Sequence, residues 1–535
     1  MFSVPLFRSH ATVCLVDRDR LQLYHANRSV ILVSSAINFS SGDGLDKFIA
    51  VFIAFQCLLL KQCGIMEELV RENAEPVTDV PTDYKLVHVR NKTDISDGPG
   101  NPYTLSLGQV ISREPLAVGR STGVIKASSD KWPDAKLVVK MSWPTSDQVP
   151  ETEFIQKAAH EAENTDGQWA AKHLPRVYFA RDADFGPDST FALVERLFKD
   201  AKFAGGEFVY ERRDLRIIIQ EELHPLKSLS NARDMGQVFV DVACSTWPSL
   251  FPIAVDLPPT PVHRWLYDCP GILHCDLSSN NIMCRILKEP NAAGELERKV
   301  YGVLTDYDLS SWTKDLKNDH TMTSQEWTGT PPYMALELLK GLSRTRLYRH
   351  DVESLFYIML LMCGRYTFGY AEDRLMGEET RQVIMRKGMI PYQNWFRQAD
   401  YNMLGNTKSA FFMHQEVIEL SPAFTDFRPW LETLQTRFRR GFSSKSFHKG
   451  NAYYLGDSTD YVVPFDDEKL GGHIDYPSFI EPIHRLTGQL QGLAVRYTPP
   501  PSPPASVGAT GVRLMSRVGS LLTSVVTRFR GSGIQ

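Results

Sequence analysis

Residues 271–284 read GILHCDLSSNNIMC. Three polar groups, His274, Asp276 and Asn281, stand at fixed offsets between two short apolar runs, Ile272 with Leu273 and Ile282 with Met283. Runs of this kind read as short buried strands. A loop pinned between two such strands leaves its side chains little freedom. The stretch is therefore either an ordinary buried turn or a loop that aims a carboxylate and an amide at one point. Its surroundings along the chain decide between the two.

Phosphoryl transfer from ATP needs few protein groups, closely arranged. One carboxylate orients or deprotonates the acceptor hydroxyl, a second carboxylate and an amide hold magnesium, and a lysine fixed by a glutamate steadies the phosphates. The corresponding sequence order is His-x-Asp, an Asn five residues after that Asp, an Asp opening a triplet, and a later segment closing on Glu. Here Asp276 is followed by Asn281, VLTDYDLS (303–310) carries Asp306 after an apolar run, and GTPPYMALELL (329–339) carries Glu337. Upstream, KLVVK ends a strand-like run on Lys140. One His-x-Asp means little; four elements in order point to a phosphotransferase site.

Helix phase selects the partner of the lysine. In ETEFIQKAAHEAE (151–163), Phe154, Ile155, Ala158, Ala159 and Ala162 form one stripe, and Glu151, four residues before Ile155, falls on it. Glu151 is the first choice to pair with Lys140, and Glu153 the reserve. The phosphate loop is a weaker signal. LAVGRSTGVIKA (116–127) offers Gly119 as the middle glycine, Thr122 at the third position and Val124 at the usual valine. A literal Asp184-Phe185-Gly186 lies upstream of the His-x-Asp loop and reads as a turn.

With 535 residues the chain is too long for one compact core. Residues 1–83 form an N-terminal extension of unclear function. Within it, FIAVFIAFQCLLL (48–60) is too short to cross a bilayer and reads as a buried or interfacial helix. Residues 84–222 read as a small antiparallel sheet of five strands, at 123–127, 136–141, 175–180, 191–195 and 215–220, with one helix at about 150–163. Residues 223–440 read as mainly helical, and DVESLFYIMLLMC (351–363) is apolar nearly all round, hence buried. Five prolines within 244–262 mark a loop insertion. Residues 441–535 read as a tail with a Pro-rich linker at 498–506 and a basic segment at 511–530, disordered or, alternatively, an amphipathic helix. A net charge of −4 gives no general case for nucleic acid, and no firm membrane association is expected. Eight cysteines without a CxxC pair suggest neither zinc nor disulfides, and with no signal peptide the expected location is cytoplasmic or nuclear.

HCDLSSNNIM, VLTDYDLSSW, TGTPPYMALELL and YRHDVESLFYIM together resemble the fungal-type protein kinase family. The resemblance covers about residues 84–440. It implies an α+β two-lobe fold, with an antiparallel-sheet lobe and a larger helical lobe, and a protein serine/threonine kinase using ATP and Mg²⁺. By the same token Asp276 would be the catalytic base, Asn281 and Asp306 the magnesium ligands, and Lys140 the phosphate contact. Thr330 would bond near Asp276, and Asp351 would hold the loop backbone from below. Tyr307, His274 and Ile155 would stack between the lobes. The hinge reading adenine would lie at Gln220–Leu223, with Glu221 and Leu223 using backbone groups. The family carries Ser two residues after the catalytic Asp, which Ser278 matches, where most Ser/Thr kinases carry Lys; Cys275 stands where they carry Arg, and Asp308 where a turn prefers Gly. Two rival readings use the same residues: a pseudokinase that binds without transferring, and a small-molecule kinase of the aminoglycoside or choline type.

Overall fold

The computed structural model describes residues 10–40, 42–58, 64, 69–71, 84–89, 103–114, 118–165, 167–183, 190–200, 210–243, 262–291, 293–316, 329–343, 345–372, 379–455 and 464–493. The Asp184-Phe185-Gly186 turn, most of the proline-bearing insertion, and the Pro-rich and basic C-terminal segments lie outside these residues. The fold is mixed α+β, and its sheets are antiparallel.

The chain opens on a small sheet of β1 (His10–Asp17), β2 (Arg20–Asn27), β3 (Ile31–Val33) and β4 (Ile37–Asn38), followed by helix α1 (Gly44–Cys57). Of that helix only Gly44 is buried; Leu45, Ile49, Phe52 and Ile53 face outward. Of the two readings of this stretch, buried or interfacial, burial is not met among the described residues. It is apolar all round, and only Phe48 packs on a described ring beyond the helix, Phe39, at 4.5 Å.

Strands β5 (Leu69–Arg71), β6 (Tyr84–Val89), β7 (Tyr103–Arg113), β8 (Gly123–Ser129), β9 (Leu137–Ser142), β10 (Val177–Asp182) and β11 (Arg216–Glu221) form a seven-stranded sheet in the order β10-β11-β9-β8-β7-β6-β5. Every residue of β9 is buried, as a strand with neighbours on both sides and cover on both faces must be. Helix α2 (Glu151–Asn164) begins after Pro150, with Glu151 and Glu153 in its first turn, where the helix dipole favours acids. It turns Phe154, Ile155, Ala158 and Ala162 inward, as the stripe predicts.

The strand expected at 191–195 is instead part of a helix, α3 (Thr190–Asp200). A four-residue apolar run cannot separate strand from helix, but Phe191, Val194 and Phe198 recur at helical spacing. Phe191 stacks on Trp143 and Phe198 on Tyr210, while Leu193 and Leu197 stay exposed.

After β12 (His224–Pro225) come α4 (Ala232–Ala243), α5 (Val262–Asp268), β13 (Ile272–Leu273), and the hairpin of β14 (Ile282–Pro290) and β15 (Leu296–Leu304). There follow β16 (Ser311–Trp312), α6 (Thr313–Leu316), α7 (Leu336–Leu339) and α8 (Tyr348–Arg365). All eighteen residues of α8 are buried: the apolar run at 355–363 requires it, and the buried charges of its first turns are paired, Arg349 with Glu337, Asp351 with His263 and Glu353 with Tyr357. A second hairpin, β17 (Tyr366–Glu372) with β18 (Glu379–Met385), interrupts a region expected to be mainly helical. Helices α9 (Gln393–Arg397), α10 (Tyr401–Met413), α11 (Arg428–Leu455) and α12 (Tyr476–Ile480) are the last α-helices among the described residues.

The core does not stop at residue 440. Helix α11 runs through it, and Leu470, Ile474, Phe479, Ile483 and Leu490 lie in the same buried cluster as α4 and α8. A second, smaller core lies within the seven-stranded sheet, around Ile125, Val139, Met141, Ile217 and Ile219.

Candidate functional site

Hairpin register builds one side of the site. In the β14–β15 pair, Ile282 stands opposite Leu304, and the Thr305 N–H donates to the Asn281 carbonyl at 2.9 Å. Asn281 and Asp306 therefore project from adjacent strand ends. The Asn281 amide Nδ2 donates to the Asp276 carbonyl at 2.7 Å, which leaves its oxygen as the free end of the group. Asp306 adopts a left-handed conformation (φ 63°, ψ 68°) that Asp tolerates better than most residues.

Loop 274–281 is held from several directions. The Cys275 N–H donates to Asp351 Oδ2 at 3.1 Å, and His263 Nε2 lies 3.1 Å from the same oxygen. Cys275 itself is left-handed (φ 67°), and Arg346 NH1 donates to its carbonyl. Burial pushes the Cys275 thiol up to about 12, so it is neither charged nor reactive. His274 Nε2 meets the Thr305 carbonyl at 3.0 Å, and its ring lies 5.1 Å from that of Tyr307; Ile155 joins Tyr307 in the same buried cluster. Asp276 Oδ1 accepts from the Thr330 N–H at 3.0 Å and from its hydroxyl at 3.2 Å. Burial and then the charge of Asp306 raise the Asp276 pKa above the ordinary carboxyl value.

The opposite wall comes from β9 and α2. Lys140 Nζ lies 2.7 Å from Glu151 Oε1, 2.7 Å from Asp306 Oδ1 and 3.0 Å from Asp308 Oδ2. Glu151 Oε2 accepts from the Tyr307 N–H at 3.0 Å, tying the helix to the Asp306 turn. Glu153, the reserve partner, faces solvent. Burial opposes the charge of Lys140, yet Asp306, Asp308 and Glu151 together hold its pKa well above the ordinary value. One cation cannot neutralise three acids. Burial and the Asp308 charge accordingly raise Glu151 to about 7 against the pull of Lys140, while Asp306, which burial would raise, is drawn down to about 2 by Lys140 and Arg120.

Lys140, Asp276, Asn281, Asp306 and Thr330 line one cleft of about 1800 Å³, together with Thr122, Val124, Glu221 and Leu223. Two expected contacts differ in detail. The Gly119 N–H donates to the Arg28 carbonyl at 2.8 Å rather than facing the cleft. The Glu221 N–H donates to the Arg176 carbonyl at 3.0 Å and is not left for a nucleotide base. Asp308 departs from the turn expectation too. It lies within a short 3₁₀ turn, not at positive φ, and its buried carboxylate points at Lys140.

Sequence reasoning missed three participants. Arg120, at the tip of the glycine loop, approaches Asp308 at 3.8 Å, and Gln148 Nε2 donates to the Asp308 carbonyl. Arg28, from the N-terminal sheet, donates to Ser121 Oγ at 3.0 Å. Arg120 was legible as a cation between two glycines; Arg28, 93 residues from its partner, left no signal. The oxygen donors of Asp306 and Asn281 suit a hard divalent cation. Glu151, Asp306 and Asp308 also hold carboxylate oxygens within 4.8 Å of one another, although Lys140 sits among them.

A family model described as "Fungal protein kinase" matches residues 6–173 and 261–363. It therefore reaches into the N-terminal extension. No curated protein matches the chain. Among solved structures, the crystal structure of the kinase domain of PF14_0431 aligns at 13% identity with a TM-score of 0.21, over 48% of this chain and 63% of that one. That likeness is slight. The family model, in contrast, covers half of the chain, including loop 274–281 and the Lys140 strand, and the chain belongs to the fungal protein kinase family.

Proposed function

We propose that the chain is an ATP- and Mg²⁺-dependent protein kinase that transfers the γ-phosphoryl group to a Ser or Thr hydroxyl of a protein substrate. The observation that carries this reading is the convergence of Lys140, Asp276, Asn281 and Asp306 on one cleft, with Glu151 fixing Lys140. In this reading the sheet and helical parts act as the two lobes of a kinase fold. The nucleotide base enters at Gln220–Leu223, and Val124 and Val138 cover it from above. Lys140 leaves Asp306 to grip the phosphates, and Glu151 keeps its ammonium in line. Asp306 and Asn281 would hold Mg²⁺, which on binding offsets charge on the phosphate oxygens.

Asp276 then performs the step at the acceptor. Its Oδ1 is held by Thr330, and its raised pKa makes it a stronger base than an ordinary carboxylate. The acceptor oxygen forms a bond to γ-phosphorus and gives its proton to Asp276. The bond to the β–γ bridging oxygen breaks, and ADP leaves with the electron pair. Segment 329–339, anchored through Glu337 to Arg349 and to Lys445 at 2.8 Å, provides a bed for a peptide. That feature favours a protein acceptor over a small molecule.

The test uses the full chain with γ-labelled ATP, Mg²⁺ and a Ser/Thr-rich acceptor protein. The wild-type chain labels the acceptor, and Asp276→Ala loses at least about 10²-fold of that activity while MgATP still raises its melting temperature. Equal labelling by Asp276→Ala removes the assigned role. Nucleotide stabilisation without labelling by the wild-type chain would favour the pseudokinase reading.

A further inference from the structure

Transfer leaves a charge problem at the acceptor end of the cleft. Ser278 stands two residues after Asp276, where a cation would face the migrating phosphoryl group. It is buried and uncharged, and its Oγ accepts from the Asn280 N–H at 3.3 Å. Lys140 is committed at the other end, against Glu151.

Another cation lines the same cleft. Arg120 projects from the loop between β7 and β8, and that loop is braced around it. The Gly119 N–H donates to the Arg28 carbonyl at 2.8 Å, Arg28 NH1 donates to Ser121 Oγ at 3.0 Å, and the Arg120 carbonyl accepts from the Trp143 N–H at 2.7 Å. Arg28 is wholly buried and lies over the Trp143 ring at 5.6 Å. With the backbone fixed at residues 119 to 121, the Arg120 side chain lines the cleft. There NH1 stands 3.8 Å from Asp308 Oδ2, and that NH1 is buried without a hydrogen-bond acceptor among the described residues. A desolvated donor with an ion-pair neighbour but no hydrogen bond is costly, and a phosphate oxygen would satisfy it.

We propose that Arg120 supplies to the transferred phosphoryl group the cation that position 278 lacks, with Asp308 holding its guanidinium in wait. The proposal rests on the kinase reading above. Arg120 takes no proton in the step. Its role is to offset charge on the equatorial oxygens while the acceptor oxygen bonds to phosphorus and the bond to ADP breaks. Burial opposes its charge, but Asp308, Asp306 and Asp276 all lie close enough to outweigh that and keep it protonated. The fixed fork of a guanidinium suits a phosphate better than a flexible ammonium does.

The experiment measures kcat and KM for ATP in the full-length chain and in Arg120→Met, Arg120→Lys and Arg120→Met with Ser278→Lys, with Arg120→Gln as a second neutral variant. The expected result is a kcat loss of about 10²-fold or more in both neutral variants. KM for ATP changes far less, and MgATP still raises the melting temperature. Arg120→Lys retains part of the activity, and Ser278→Lys restores at least about tenfold to Arg120→Met, because either change returns a cation to the same oxygens. A kcat within about twofold of wild type in both neutral variants overturns the proposal. So does a loss that Ser278→Lys and Arg120→Lys both fail to recover. A wild-type chain that transfers no phosphate overturns this proposal together with the reading beneath it; an active wild type with active neutral variants overturns this one alone.

Discussion

The ammonium of Lys140 has three carboxylate neighbours within 3.0 Å, and the carboxyl that yields is Glu151. Its pKa of about 7 in the folded chain lies above the 4.5 of a free glutamate. Between those two values the folded state holds a proton that the unfolded state has lost. Stability from this site is therefore fully present below pH 4.5 and falls as pH rises toward 7. A Glu151→Gln chain keeps the hydrogen-bonding shape without the titration. The nucleotide-free wild type should lose more melting temperature than Glu151→Gln between about pH 5 and about pH 7.5. Parallel pH curves for the two proteins would mean that Glu151 is charged throughout. The Lys140–Glu151 pair was legible from one helix stripe, because a stripe fixes which side of α2 faces the sheet. Asp308 was not. Its triplet position suggested a strained turn, whereas the strain sits at Asp306 and the Asp308 side chain turns inward.

Among the elements, the segment at 329–339 shows how local sequence and distant packing combine. Its motif names Glu337, but the groups that clamp the segment come from elsewhere. Arg349 and Lys445 pair with Glu337, the Leu336 N–H donates to Glu353 Oε1 at 2.7 Å, and buried Lys408 donates to the Met334 carbonyl at 2.6 Å. Lys445 lies beyond the boundary expected at residue 440, and so do Leu470, Ile474, Phe479 and Ile483 of the main core. That boundary followed the last recognisable motif. The helices beyond it are as short as the five residues of α12, too short for periodicity to register. A chain ended at residue 440 should be insoluble or melt more than about 10 °C lower, since each large core side chain lost costs about 2–5 kcal/mol. A chain ended at residue 493, which keeps Leu470, Ile474, Phe479, Ile483 and Leu490, should melt well above the chain ended at residue 440. Equal melting of the 440 and 493 chains by calorimetry would show that residues 441–493 add nothing to the core.

Across the whole molecule, what the sequence made legible was chemistry carried by short ordered motifs: the loop at 274–281, the Asp306 turn, the Lys140 strand and the fully buried α8. What stayed hidden was contact between segments without motifs. The Arg28 brace on the glycine loop spans 93 residues, and nothing in the local stretch YHANRSV (24–30) distinguishes an arginine that packs on Trp143 from one in solvent. The short run at 191–195 failed for a different reason, because four apolar residues suit either period. The central claim is spatial: side chains from β9, loop 274–281 and the Asp306 turn close on one metal–nucleotide. A crystal of the full chain with Mn²⁺ and a non-hydrolysable ATP analogue tests it most directly. The account predicts an anomalous manganese peak bound by Asp306 and Asn281, with the phosphates reaching Lys140. Nucleotide bound elsewhere, or manganese away from both residues, would contradict it.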